Sequence, residues 1–306
     1  MDLTGAPRRL GRGELDSEAE LARLGSPKAR RAFVRERRRS ARHDGRRKAL
    51  AAELASRAAV GLDPDQGILR AAPGALDGVD ETIAAANGLI DRIGAEQLGA
   101  IRRKPMSKGF LTMPDLGLDS PYLRFALSDG VLGPVSEYLG LVPVLTYIDV
   151  WYSEHVPTEP YSSQLWHLDH ADVKQVKVYL HCDAVDIASG PLTVLDAATS
   201  KLVAKRTRYT LAASRLSDDA VREAVGASEG IPLTGPKGAA TFVDTSRCFH
   251  FGSRVEPGAP PRKLVVFQYL TPFAFDFQHD HRDEAPFREL AEPGSAERDR
   301  LVLGAD

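Results

Sequence analysis

Between Gln164 and Asp183 the chain reads QLWHLDHADVKQVKVYLHCD, and residues 167–172 hold two histidines and two aspartates. Imidazole nitrogens and carboxylate oxygens are ligands that suit divalent transition metals. Successive side chains of an extended strand alternate between its faces, so His167 and Asp169 would share one face. Two ligands do not make a useful site. His250, in the strand-like RCFHFGS further along the chain, is the natural third. Two histidines and one carboxylate on one face of an octahedron leave the opposite face open to exogenous ligands. Pairing His167 with His170 instead would need a helix or turn. His-x-Asp also fits a polar turn leading into an ordinary strand, and on these residues alone both readings stay open.

The elements that must hold such a site change character along the chain. Val79, Ile83, Ala86, Ile90 and Ile93 recur at helical spacing behind a possible cap at Asp77, which predicts an amphipathic helix. Ser120 followed by Pro121 starts a second helix, with Leu123, Leu127 and Val131 on one face. From about Leu145 the segments LTYIDVWYS, SQLWHLD, VKQVKVYLHCD, PLTVLD, AATFVDT, RCFHFGS and RKLVVFQYL are short, rich in β-branched and aromatic residues and bounded by Gly, Pro, Asp and Ser. One interruption, from Ser200 to Lys237, contains a helix at SDDAVREAVG between a Ser217 cap and Gly226. Helices first and strands afterwards predict a mainly β core, a sandwich or barrel buttressed by N-terminal helices.

The chain has 306 residues, 43% of them hydrophobic, with a formal charge of -2. That balance gives no global field to attract nucleic acid. Lys28 to Lys48 is nevertheless dominated by Arg and Lys, and reads as a solvated helix or mobile arm without the aromatic interleaving of a nucleic-acid binder. The expected organisation is a basic arm over 1–60, a β domain over 61–280 with a helical insertion at about 200–237, and a polar tail over 281–306. No apolar run reaches a membrane span and no signal-peptide pattern follows the basic N-terminus, so the expectation is a soluble, cytoplasmic protein. Cys182 and Cys248 are too few for a disulfide framework and fit a reducing compartment. Among the remaining histidines, His279 and His281 form a small polar cluster, His155 precedes a loop and His43 lies in the arm.

Three blocks, WHLDHADVKQVKVYLHCDAVDIASGPLTVLD, GPKGAATFVDTSRCFHFGSR and RKLVVFQYL, resemble the iron(II)/2-oxoglutarate-dependent dioxygenases, in particular the phytanoyl-CoA dioxygenase-like family. The resemblance runs in order from about Lys108 to Leu270 and implies a double-stranded β-helix, a jelly-roll or cupin-like core. It implies His167, Asp169 and His250 as iron ligands, and Arg262 as the anchor of 2-oxoglutarate, with Arg254 as the rival. A guanidinium suits that role because it stays charged and offers a planar fork to a carboxylate. Gln175, Lys177 and Tyr179 share a strand face and are candidates for a second co-substrate contact, while Trp166 should point away from the metal. The implied reaction consumes O2 and 2-oxoglutarate, releases succinate and CO2, and hydroxylates an unactivated C–H bond of a small molecule. Asp169 retains the carboxylate that the halogenases of this superfamily lack. Family members commonly continue past the Gly-Pro-Leu segment into a Pro-Gly-Ser-His turn, whereas this chain reads GPLTVLDAATS, which puts the neighbouring loop in doubt. The substrate is not implied; Lys201, Lys205, Arg206 and Arg208 would favour an anionic one if the insertion forms a lid. Two other functions are compatible with the same residues. One is a cupin-like metalloenzyme without 2-oxoglutarate; the other is an inactive dioxygenase fold that binds a partner through its basic arm. The oligomeric state is not expressed in the sequence.

Overall fold

The structure is a computed structural model and describes residues 44–57, 60–100, 108–210, 215–226, 230–274 and 285–305, with scattered positions between 32 and 42. Most of the basic arm, His43, His279 and His281 lie outside the described residues.

Helix α1 (Gly45–Ala55) opens at Asp44, whose side chain accepts from the amide of Arg47. Its sequence, GRRKALAAELA, belongs by composition to the basic arm, yet Ala51 and Leu54 are buried in the main core. Arg47 is buried too, and its guanidinium donates to the carbonyls of Val142, Pro143 and Leu301. A short apolar side of the helix and one snorkel-free arginine therefore dock a segment whose charge suggested a solvated arm. The same arginine ties down helix α7 (Glu297–Val302), where Leu301, Val302 and Leu303 are buried. The stretch 281–306 thus ends in a docked helix; an apolar run this short gives no periodicity to read. Arg47→Met should cost about 3 kcal/mol in a urea titration, because several buried carbonyls lose their donor at once. A midpoint unchanged from wild type would mean that the guanidinium contributes nothing to docking α1 and α7.

Strand β1 (Ile68–Ala71) precedes helix α2 (Val79–Ala100), whose Val79, Ile83, Ala86 and Ile90 face the core as their spacing requires. The helix is broken at Gly94, which has φ 73°. The second sequence-read helix is two helices: α3 (Pro121–Ala126), capped by Ser120, and α4 (Asp129–Leu139). Between them Ser128 adopts an extended backbone and donates its hydroxyl to the Phe125 carbonyl, so a serine that competes for backbone groups ends one helix and starts the next.

The strands are β2 (Lys108–Gly109), β3 (Val144–Ser153), β4 (Val176–His181), β5 (Thr193–Val194), β6 (Ile231–Pro232), β7 (Ala240–Val243), β8 (His250–Phe251) and β9 (Arg262–Leu270). They form a six-stranded sheet in the order β1-β7-β4-β9-β3-β2 and a three-stranded sheet in the order β6-β5-β8, all antiparallel. The extended segment carrying His167 joins the small sheet beside β8 through the reciprocal His167 and His250 backbone bonds, each 3.0 Å. From β3 onward the chain therefore passes large sheet, small sheet, large, small, small, large, small, large. That winding is a double-stranded β-helix with helices against its outside. SQLWHLD is held by isolated bridges instead of forming a full strand, because its neighbours on both sides are short.

Alternation along the large sheet separates two cores. Val176, Val178, Leu180, Val265 and Phe267 face the helices, while Tyr179, Leu264, Val266 and Val243 face the small sheet. A third cluster, with Trp166, Val203, Val221 and Phe249, fills the space under helices α5 (Ala197–Arg206) and α6 (Asp218–Val225). Ser217 caps α6 and Gly226 ends it at φ 80°, as the sequence predicts. Helix α5 was not expected; its signal is Asp196, whose carboxylate accepts from the Thr199 amide.

Candidate metal centre

The inner face of β4 and the small sheet converge on His167, Asp169 and His250. One potential ligand atom from each lies within 4.8 Å of the others, and among the described residues this is the one such group of His, Cys, Asp and Glu. His170 is not part of it. The two imidazole rings are 4.2 Å apart between centroids.

Each histidine is oriented by its own strand. His167 Nδ1 lies 2.8 Å from the Leu165 carbonyl and His250 Nδ1 lies 2.9 Å from the Cys248 carbonyl. A carbonyl can only accept, so each Nδ1 carries the proton and each Nε2 presents a lone pair. Burial, and the proximity of the second imidazole to His167, push both histidines below their ordinary range and keep them neutral. Asp169 behaves oppositely. Burial alone would raise it, but the Lys177 ammonium outweighs that and holds it well below the usual carboxylate range. Lys177 Nζ is 2.8 Å from Asp169 Oδ2, and Gln175 Nε2 is 3.3 Å from the same oxygen while donating to Thr245 Oγ1 at 2.8 Å. Two neutral nitrogen donors beside an ionised carboxylate are the ligand set of a facial triad, and the locked tautomers are the outer-shell support that such ligands need.

Arg262 opens β9 on the same inner face and is buried, 4% exposed. Its guanidinium donates to the Gly190 carbonyl and to Ser253 Oγ at 2.8 Å, with Ser153 Oγ at 3.4 Å. Nε is buried without a partner. Among the described residues no carboxylate pairs with this arginine, and burial brings it down to about 10. The cradle is built with strain. Gly190 has φ 61°, where a Cβ would stand 2.5 Å from the Arg254 carbonyl carbon, and Ser253, a non-glycine residue, has φ 60°. A left-handed serine costs of order 1–3 kcal/mol and persists where its surroundings over-determine it.

Arg254 is placed differently. It stacks 3.6 Å over the Phe251 ring, pairs with both oxygens of Asp218 at 2.8 and 2.9 Å, and donates Nε to the Gln164 carbonyl. Its charge is balanced and it pins the start of α6 to the segment before His167. Lys263 turns outward to Asp183 and Asn87, as alternation requires. Trp166 faces away from the site into the cluster under α5 and α6, edge-on to Phe251. Tyr179 lies on the inner face, where its hydroxyl feels both Asp169 and Arg262, and burial dominates its strong upward shift.

Sequence reasoning missed two groups. The first is an aromatic run on the same face, with Tyr147, Trp151 and Tyr179 meeting edge to face at centroid distances of 6.3 Å. Alternation on LTYIDVWYS carried that signal, although a register shift after Leu145 obscures which residues face inward. The second is Asp149, which accepts from the amides of Phe110, Leu111 and Val150 and from the Tyr147 hydroxyl. It holds the segment after β2 across the sheet edge.

Burial raises Asp149 from 3.8 to about 6. A carboxyl whose folded value lies above its unfolded one favours folding most below pH 3.8 and loses that contribution as pH rises past 6. The full swing is about 3 kcal/mol. Asp149→Asn should therefore lack the decline in urea stability between pH 4 and pH 7 that wild type shows from this group; parallel pH curves for the two proteins would refute the assignment.

No family model and no curated protein matches the chain. Solved structures do. It is similar to AviO1 from Streptomyces viridochromogenes Tue57, with 18% identity over 73% of this chain and 96% of that one and a TM-score of 0.46. It is also similar to HygX from Streptomyces hygroscopicus with nickel and 2-oxoglutarate bound, with 13% identity over 68% and 83% and a TM-score of 0.44. A third is the non-heme alpha ketoglutarate dependent epimerase SnoN from nogalamycin biosynthesis, with 15% identity over 73% and 84% and a TM-score of 0.43. At this distance the likenesses are of general form, and the chemical reading rests on the donor geometry. No helix among the described residues is long and apolar enough to cross a membrane.

Proposed function

We propose that this protein is a non-haem Fe(II)- and 2-oxoglutarate-dependent oxygenase that hydroxylates an unactivated C–H bond of a small molecule. The observation that carries the reading is a conjunction: two Nε2-presenting histidines and an ionised aspartate stand in the same inner space as a buried arginine with no acidic partner among the described residues. The donor set fits Fe(II), and the orphaned Nε of Arg262 fits a carboxylate brought by a ligand.

Bound iron and 2-oxoglutarate would supply the oxidising chemistry, with succinate and CO2 as by-products. The chain's residues have other tasks. His167 and His250 keep their protons on Nδ1 and their lone pairs inward. Lys177 keeps Asp169 ionised and, with Gln175, fixes its carboxylate plane. Arg262 would take the far carboxylate of the co-substrate, and Tyr179, on the same inner face, would offer its phenolic proton to the same molecule. Tyr147, Trp151 and Tyr179 form an aromatic wall that keeps water from one side of the site. A retained aspartate ligand favours hydroxylation over halogenation.

The test is anaerobic titration of Fe(II)-loaded protein with 2-oxoglutarate, following the weak visible band produced by keto-acid chelation. Wild type should develop the band, and Asp169→Ala and Arg262→Ala should lose or weaken it. Stoichiometric iron without a band would favour a cupin-like metalloenzyme. Absence of iron binding would reduce the cluster to a polar strand end and return attention to the basic arm.

A further inference from the structure

The basic residues of the insertion between β5 and β6 stay on its outside: Lys201, Lys205 and Arg208 are exposed, and Arg206 donates to the Ala224 carbonyl. The inner space instead holds an unpaired polar group on His181, the last residue of β4. Val176, Val178 and Leu180 face the helices and Tyr179 faces the small sheet, so alternation turns His181 inward with Tyr179. His181 is 4% exposed. Across the sheet it pairs with Leu264 of β9, and Arg262 is the next residue of β9 on that face. The two side chains are therefore diagonal neighbours, a spacing that long and aromatic side chains span. Burial first and the charge of Arg262 second bring His181 down to about 4. It is thus neutral at neutral pH, with one N–H and one lone pair. Its Nδ1 makes no hydrogen bond. The Gly235 carbonyl is near enough to favour the protonated ring, but it already accepts from the Val185 amide at 2.8 Å and does not bond Nδ1. His167 and His250 differ, since each has Nδ1 locked onto a carbonyl of its own strand. His181 can carry its proton on either nitrogen.

We propose that His181 is a second recognition residue for the far carboxylate of a 2-oxo diacid, donating a ring N–H to that carboxylate beside Arg262. The inference rests on the oxygenase reading above and names the residue that helps the site prefer a diacid over a monoacid. Two orphaned polar atoms on neighbouring inward side chains carry it, Nε of Arg262 and Nδ1 of His181. Burying either without a partner is unfavourable, and one carboxylate has lone pairs enough for both. A carboxylate also brings a counter-charge. The described partners of Arg262, the Gly190 carbonyl and the hydroxyls of Ser253 and Ser153, are all neutral. A neutral imidazole suits that arrangement, because one carboxylate then balances one guanidinium, whereas a second cation would leave a net charge in a buried space. Hydrogen bonds to an ionised acceptor are the strong ones, so a single N–H from His181 is enough to separate two otherwise similar keto acids.

The experiment titrates the Fe(II)-loaded full chain under nitrogen with 2-oxoglutarate and with 2-oxopentanoate, following the keto-acid chelation band. The second acid keeps the carbon chain and carries a methyl group in place of the far carboxylate. Wild type should bind the diacid more tightly. His181→Leu and His181→Phe, two replacements without a donor, should each weaken 2-oxoglutarate about tenfold and leave 2-oxopentanoate within about twofold, as the loss of one hydrogen bond to a charged group requires. Either variant alone decides if the other fails to fold. His181→Gln keeps an N–H donor and should recover part of the difference. A urea midpoint taken with chelator present should be unchanged or raised in His181→Leu, because an apolar side chain replaces an unpaired buried polar one. Equal weakening of both acids makes the ring a packing residue and overturns the proposal. A band in wild type with the diacid preference intact in the variants overturns it while the oxygenase reading stands. No band in wild type overturns both.

Discussion

Asp169→Ala will remove divalent-metal binding and cost about 3 kcal/mol of stability, and adding Lys177→Met will restore most of the stability but none of the metal binding. The two effects separate because Asp169 has two partners. Toward His167 and His250 it completes a donor set, and no other carboxylate among the described residues joins that group. Toward β4 it neutralises Lys177, whose side chain is only 10% exposed and whose ammonium lies 2.8 Å away. Removing the carboxylate leaves a largely buried cation with no counter-charge, which costs more than the pair itself contributes. A methionine in place of Lys177 turns the same volume apolar and lifts that penalty. The readouts are urea titrations in the presence of a chelator, which isolate the pair from the metal, and calorimetric titration with Co(II). If the double variant is no more stable than Asp169→Ala, Lys177 does not depend on Asp169. If Asp169→Ala binds Co(II) as wild type does, the triad is not a metal site.

How far the chain discloses this site depends on whether a residue's partner is local. His167 and Asp169 are two apart on an extended segment, so alternation alone puts them together. His250 could be proposed by type but not by geometry, because its approach depends on the bridge between two segments more than eighty positions apart. Strand β9 was legible to its limits, since RKLVVFQYL past its first two residues is apolar but for Gln268 and both faces of it are covered. The bridging segment at 164–169 was read as a strand for the right reason, yet only isolated bridges hold it. Spacing from His250 favoured Arg262 over Arg254, but it could not show what engages either guanidinium. What distinguishes them is a carboxylate, Asp218, at the start of a helix thirty-six residues earlier, which pairs with Arg254 and not with Arg262.

The last expected result concerns Arg262. Arg262→Met will leave stability within about 1 kcal/mol of wild type or raise it, and will weaken 2-oxoglutarate binding by about a hundredfold. A buried guanidinium is expensive, and here the expense is only partly met. Gly190, Ser253 and Ser153 supply neutral acceptors, Nε has none, and burial has brought the group down to about 10. Two neighbours, Gly190 and Ser253, hold left-handed backbone conformations in the cradle that receives it. An unbranched apolar side chain fills similar volume at no electrostatic cost, and loses acceptors that are themselves neutral. Stability alone does not account for a buried guanidinium with an orphaned Nε, whereas a ligand carboxylate would complete its set of partners. The comparison is a urea midpoint for each protein beside the anaerobic titration with 2-oxoglutarate. A large loss of stability with co-substrate binding intact would make Arg262 a structural residue of the β9 end and return the anchoring role to another cation of the inner face, Lys177 first among them.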